Sequence, residues 1–169
     1  MTSLAEINHA DRAGFTAALG HLFEHSPWVA EETWLRRPFR DADHLHAELC
    51  ATMRDATPER QLALIHAHPD LAGRLALQNQ LTPESTREQA SAGLNHLTAD
   101  ELSRFQQLND AYRARFGFPF IICARLNARA AILVAMKTRI SHDPSEEHAA
   151  ALGEIEKIAR LRLDDLLAN

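Results

Sequence analysis

The sequence predicts an all-α fold, a single-domain multi-helix bundle (1-169) with one short extended apolar segment at residues 118–123. Three observations carry that expectation. Apolar residues recur every three or four positions through most of the chain, the spacing of one helix face. Several of these runs open on Ser, Thr, Asp or Asn followed by Pro, or by Glu three residues on, which are helix-start signals. Only Phe118-Pro119-Phe120-Ile121-Ile122-Cys123 is an unbroken apolar run of aromatic and β-branched character, and the sequence offers it no partner strand.

The elements follow in order. Asn8 is placed to cap a first helix with Phe15, Leu19, Leu22 and Phe23 on its apolar face. Ser26-Pro27 opens a short helix carrying Trp28 and Trp34 that ends before Pro38. Leu45, Leu49 and Met53 recur every four residues on a third. Thr57-Pro58 starts a fourth, with Leu62 and Ile65 inward, which runs into His66 and His68 until Pro69 stops it. From Leu71 to Leu81 the pattern loosens into a short helix and a loop. Thr82-Pro83 and Ser85-Thr86-Arg87-Glu88 then offer two competing starts for the next helix. Thr98-Ala99-Asp100-Glu101 is a capping box for a long helix with Leu102, Phe105, Leu108, Tyr112 and Phe116 on one side. Gly117 suits the left-handed residue that ends it. A lone buried extended segment at 118–123 leaves backbone N–H groups that need acceptors. Asn127 is placed to cap a helix reaching Ile140, and Asp143-Pro144-Ser145-Glu146 starts the last, with Leu152, Ile155, Ile158 and Leu166 inward.

Bulk properties narrow the functional classes. The 169 residues suffice for one domain with a sizeable core, and 46% hydrophobic with 24% charged content is ordinary for a globular protein. A net charge of -5 gives no reason to expect nucleic acid or an acidic membrane as partner. No apolar run reaches membrane-spanning length, and the first residues lack the layout of a signal peptide. Leu166-Leu167-Ala168-Asn169 is no peroxisomal or retention address. Two cysteines far apart, Cys50 and Cys123, fit a cytoplasmic setting better than a disulfide-stapled one.

Four features could carry chemistry, and each has a plainer explanation. His66-Ala67-His68-Pro69-Asp70-Leu71-Ala72-Gly73-Arg74 gathers two imidazoles, a carboxylate and a guanidinium in one bend, where a held imidazole could give or take a proton near neutral pH. The plainer account of His68 is a helix-terminal histidine favoured by the helix dipole. A metal pair of His66 and His68 would need a strand, where alternate residues share a face; at a helix end they diverge. Glu88 completes a Ser85-x-x-Glu88 capping pattern, which leaves Gln89 unexplained. Arg162 falls on or beside the apolar stripe of the last helix, as a snorkelling side chain or as a charge held for an anion. The run from Phe118 to Cys123 is core by default, or a backbone that could read a planar ring with urea-like edges.

Taken together, several segments strongly resemble one family. His68-Pro69-Asp70-Leu71-Ala72-Gly73, Ser85-Thr86-Arg87-Glu88-Gln89, Ala92-Gly93-Leu94, Leu108-Asn109, Arg115-Phe116-Gly117-Phe118-Pro119-Phe120-Ile121 and Leu161-Arg162-Leu163 resemble the 2-oxo-4-hydroxy-4-carboxy-5-ureidoimidazoline (OHCU) decarboxylases of purine catabolism, and His25-Ser26-Pro27-Trp28 resembles their early motif. The resemblance covers nearly the whole chain in order. It implies an all-helical enzyme without a cofactor, acting in the last step from urate to allantoin on a small ureidoimidazoline. It also admits a homodimer, and it implies His68 as the catalytic acid/base. Pro69, Ser85, Glu88, Gln89, the backbone of Phe120, Ile121, Ile122, Cys123 and Ala124, and Arg162 would surround the ligand. Phe118 and Pro69 would form apolar walls, Glu88 would set the protonation of His68, and Arg162 would bind an anionic oxygen. On this reading an imidazole, a carboxylate and a guanidinium distant in sequence serve one substrate. Two rivals remain at this point: a helical binding module that docks a partner through the Phe116–Ile122 region, and a metal hydrolase built on His66 and His68.

Overall fold

The computed structural model describes residues 3–73, 76 and 78–168. The short helix expected between Leu71 and Leu81 falls partly outside them, at Arg74, Leu75 and Leu77, as does Asn169. No strand occurs among the described residues. Their helices are α1 (Leu4–His9), α2 (Arg12–Leu19), α3 (Trp28–Thr33), α4 (Ala42–Asp55), α5 (Pro58–Ala67), α6 (Pro83–Ser91), α7 (Ala99–Phe116), α8 (Arg129–Arg139) and α9 (Pro144–Ala168), with 3-10 turns at Trp34–Arg36 and Ala124–Leu126. None is long and apolar enough to cross a membrane. The chain groups into two compact units: residues up to Ala67 together with those from Glu156 on, and His68–Ile155.

In the first unit the chain opens with two short helices where the sequence suggests one. Ser3 and Glu6 form a reciprocal capping box for α1, the Ser3 N–H reaching Glu6 Oε2 at 2.7 Å. Asp11 caps α2 by accepting from the Gly14 N–H at 2.7 Å. Asn8 is therefore no cap. It lies inside α1, and its amide clamps the Phe39 backbone, donating to the carbonyl and accepting from the N–H, both at 2.8 Å. Leu22 and Phe23 are buried as expected, but beyond the end of α2. At α3 the cap position belongs to Pro27 rather than Ser26, with no side-chain cap bond, and the helix tightens into the 3-10 turn before Pro38.

Leu45, Leu49 and Met53 on α4 are fully buried, each stabilising the unit by about 1.5–3 kcal/mol relative to exposure. On α5 the inward pair is Leu64 and Ile65, whereas Leu62 is 37% exposed. At roughly 100° per residue Leu62 stands on the far side of the helix from Leu64, so pairing it with Ile65 chose the wrong edge of the stripe. The later part of α9 closes this unit: the Glu156 carbonyl meets His46 Nε2 at 2.9 Å, its carboxylate pairs with Arg54, and Ile158, Ala159 and Leu163 are buried. Leu166 is only half-buried.

In the second unit Thr82 decides between the two competing starts. Its hydroxyl accepts from the Ser85 N–H at 3.2 Å, with Pro83 in the first turn, so α6 begins there and Ser85 and Glu88 lie inside the helix. The capping box at Thr98 and Glu101 starts α7, and Gly117 ends it at φ 78°, a left-handed conformation that a side chain would strain. The apolar run that follows is buried throughout and forms no ladder. Asn127 does not cap α8. Ala128 holds that position without a side-chain bond, while Asn127 turns back to donate to the Cys123 carbonyl at 3.0 Å. The first part of α9, to Ile155, completes the unit, with Leu152 and Ile155 buried.

Candidate active site

His68, one residue past α5 in sequence, is buried, while His66 is exposed. The two imidazoles thus differ in exposure, and no group of three or more metal-ligating side chains occurs among the described residues. The bend that carries His68 is fixed by a network the sequence did not reveal. Gln89 Oε1 accepts from the Ala72 N–H at 3.0 Å, and its Nε2 lies 3.5 Å from the Asp70 carbonyl. Asn109 Nδ2 donates to the Leu71 carbonyl at 2.9 Å. Arg113 Nε donates to both oxygens of Asp70, at 2.9 and 3.1 Å. Thus α6 and α7 between them grip Asp70, Leu71 and Ala72.

The bend is also sterically demanding. Ala72 sits at φ 48°, in the left-handed region, and a Cβ on Gly73 would meet the Asp70 Cβ at 2.6 Å. A non-glycine residue there costs of order 1–3 kcal/mol and persists only where the surroundings hold it. Here the hydrogen bond that the same residue donates to Gln89 supplies the hold. Asp70, Ala72 and Gly73 therefore shape the turn that presents His68 and Pro69. Arg74 lies outside the described residues.

Along α6, Ser85 and Gln89 are buried and Glu88 is half-buried. Because Thr82 does the capping, Glu88 is released from the structural task its spacing suggested. The helix packs on the Ala124–Leu126 turn. Burial pushes the Cys123 thiol up, and the nearby carboxylates of Glu154 and Glu88 add to the rise.

Two of the extended segment's backbone groups are met by side chains. Cys123 N–H donates to Glu154 Oε2 at 2.8 Å, and the Ile121 carbonyl accepts from Arg139 Nη1 at 2.7 Å. Phe118, Phe120, Ile121, Ile122, Cys123 and Ala124 are buried, none above 8% exposed. The run is therefore not the open apolar patch that the docking-module alternative requires.

Arg162 belongs to the first unit. Its Nη2 donates to Glu24 at 2.9 Å, with the side chains only 4% and 2% exposed, and its Nη1 lies 3.2 and 3.4 Å from the carbonyl oxygens of His21 and Leu22. A snorkelling arginine would keep its head in water, so this one is a held charge. Glu24 escaped the sequence reading although it immediately precedes His25-Ser26-Pro27-Trp28.

With this geometry in view, the sequence profile described as OHCU decarboxylase matches residues 8–164. The chain belongs to the OHCU decarboxylase family. Relatives in that family include the 2-oxo-4-hydroxy-4-carboxy-5-ureidoimidazoline decarboxylase of Halalkalicoccus jeotgali, 43% identical over 97% of this chain and 91% of that protein. The enzyme of the same name from Mus musculus is 42% identical, covering 97% and 92%. Among solved structures, an (S)-allantoin synthase is similar with a TM-score of 0.76 and 30% identity, over 98% of this chain. The chain spans 54% of the length of that structure's chain. The ties among the His68 bend, α6 and α7 hold the backbone immediately after His68 in this member of the OHCU decarboxylase family.

Proposed function

We propose that this member of the OHCU decarboxylase family is a carboxy-lyase that removes carbon dioxide from 2-oxo-4-hydroxy-4-carboxy-5-ureidoimidazoline and delivers (S)-allantoin, without a cofactor. The observation that carries the reading is the buried imidazole of His68 on a strained bend tied by Gln89, Asn109 and Arg113. Such an over-determined bend is the kind of support that an acid/base group needs. The match of one profile to residues 8–164 supports treating the chain as a single functional domain.

In the chemistry proposed, the bond from C4 to the carboxylate breaks and its electron pair passes into the adjacent ring C=N. The ring is its own electron sink, so pyridoxal or thiamine is not required. The ring nitrogen that receives the pair takes up a proton from water, and a second proton then reaches the carbon bearing the ureido arm as the 4-hydroxyl gives up its own to become a carbonyl. His68 manages that proton and fixes the S configuration. Glu88 sets the protonation state of His68 or holds the substrate, and Arg162 binds an anionic oxygen. Pro69 and Phe118 wall out water. Ser85 and Gln89, with the backbone of Phe120, Ile121, Ile122, Cys123 and Ala124, read the ureido and ring amides. Gln89 carries a second duty, since its carbonyl oxygen already holds the Ala72 N–H.

Both cysteines are free and buried, which supports a cytoplasmic setting. The test of the activity is to supply freshly generated substrate to untreated protein and to protein treated exhaustively with chelator, following carbon dioxide release and circular dichroism together. Rapid release with one-handed allantoin is expected. Release no faster than the spontaneous decay would reject the decarboxylase reading, and loss of activity on chelation would favour metal chemistry.

A further inference from the structure

One cluster in the second unit has no part in the chemistry above. Glu147 is fully buried, and its carboxylate gathers Tyr112, Arg139 and His142. Oε1 takes the Tyr112 hydroxyl and the Arg139 guanidinium, the latter through Nε at 2.8 Å and through Nη2; Oε2 meets His142 Nδ1 at 2.9 Å. A carboxylate so deeply buried is tolerable only when fully paired, and here the pairing is with an arginine fork.

The remaining arm of that fork reaches the extended segment. Arg139 Nη1 donates to the Ile121 carbonyl at 2.7 Å, and the guanidinium lies over the Phe120 ring at 4.4 Å from its centroid. Tyr112, anchored on the same carboxylate, sets its ring edge against Phe120 at 5.2 Å and against Phe118 at 6.0 Å. The planar, charged group thus holds one backbone carbonyl and one aromatic face at once, a geometry that a lysine cannot copy. Two residues on, Glu154 holds the Cys123 N–H at 2.8 Å. Together these ties substitute for the missing strand partner.

We propose that Arg139, locked by Glu147, is a positioning residue that fixes the backbone of Phe120–Ala124 in the conformation that reads the substrate's ring. This rests on the reading of that segment as substrate-binding. Tyr112 shares the carboxylate but does not touch the Ile121 carbonyl, so it separates positioning from general stability.

The test compares Arg139→Lys with Tyr112→Phe. Both should lower the melting temperature, since each removes a buried hydrogen bond. Only Arg139→Lys should speed backbone deuterium exchange in the peptide spanning 118–124, by tenfold or more, and raise KM for freshly made ureidoimidazoline at least fivefold with a smaller change in kcat. Tyr112→Phe should leave KM within twofold. The proposal is overturned if Arg139→Lys lowers the melting temperature alone, or speeds exchange without moving KM. If wild-type protein fails to turn over the substrate, the decarboxylase reading falls and this proposal falls with it. An active wild type with unmoved Arg139→Lys kinetics overturns the positioning role alone.

Discussion

Replacing Gln89 by Leu tests the physical reason for the bend. The change keeps the side chain's bulk and helix propensity and removes the acceptor at 3.0 Å from the Ala72 N–H. Ala72 is 2% exposed, so solvent does not readily replace that acceptor. Leaving a buried donor unmet costs about 1–3 kcal/mol, of which we take about 2 kcal/mol as the expectation. The weak contact from Gln89 Nε2 to the Asp70 carbonyl, at 3.5 Å, adds little. For a chain of this size about 2 kcal/mol lowers the melting temperature by about 4–8 °C. Relaxation of Ala72 from φ 48° would also move His68, so kcat should fall with the melting temperature. Thermal denaturation by circular dichroism and steady-state kinetics read the two effects. Ser91→Ala, which removes an exposed bond on the same helix, serves as control and should shift stability by less than about 0.5 kcal/mol. A Gln89→Leu protein as stable and as active as wild type would refute the claim that this amide holds the bend.

Further expectations follow from the buried ion pair and the thiols. Glu24→Ala strands the Arg162 guanidinium in the interior and should cost about 3–5 kcal/mol by urea denaturation; a loss under about 1 kcal/mol would show that the pair contributes little. Arg162→Ala should weaken substrate binding and slow turnover together, because the anion contact proposed for it would operate before and during reaction; an unchanged apparent affinity would leave Arg162 a purely structural partner of Glu24. Burial, with Glu156 nearby, pushes the Cys50 thiol up from its ordinary value of 9.0 to about 12. Its contribution to stability is therefore intact below about 9 and is lost as pH rises toward about 12, because the unfolded thiol ionises first. Cys50→Ala should flatten the loss of stability across that alkaline window, and an equally steep profile would refute the assignment.

Much of the fold was legible because its signals are local. The Thr98 capping box, Gly117 as a left-handed stop and the four-residue spacing of Leu45, Leu49 and Met53 each depend on a few neighbours in sequence. Errors arose where two local signals competed or where a polar side chain acted at a distance. Asn8 and Asn127 are good caps by type, yet Ser3, Asp11 and Ala128 hold the cap positions, and both asparagines are bound to backbone elsewhere. Leu62 looked inward because the stripe on α5 is narrow and its edge cannot be read from one pair of residues.

The candidate site was legible through resemblance, and less so through spacing. Nothing near His68 announces that Gln89, Asn109 and Arg113, 17 to 43 positions from their partners, hold its bend. The need for acceptors along the extended run was legible, but not that Glu154 and Arg139 would meet it. Glu147 reads in sequence as an ordinary acid in the first turn of α9, and only its complete burial marks it out.

The most direct test of the account follows the handedness of the product from His68→Asn protein, by circular dichroism on freshly generated substrate. Asparagine approximates the shape of imidazole and cannot shuttle a proton near neutral pH. The account predicts a fall in turnover of about 10²–10⁴-fold and allantoin without a single handedness, in a protein that melts close to wild type. Rapid formation of pure (S)-allantoin by that variant would contradict it.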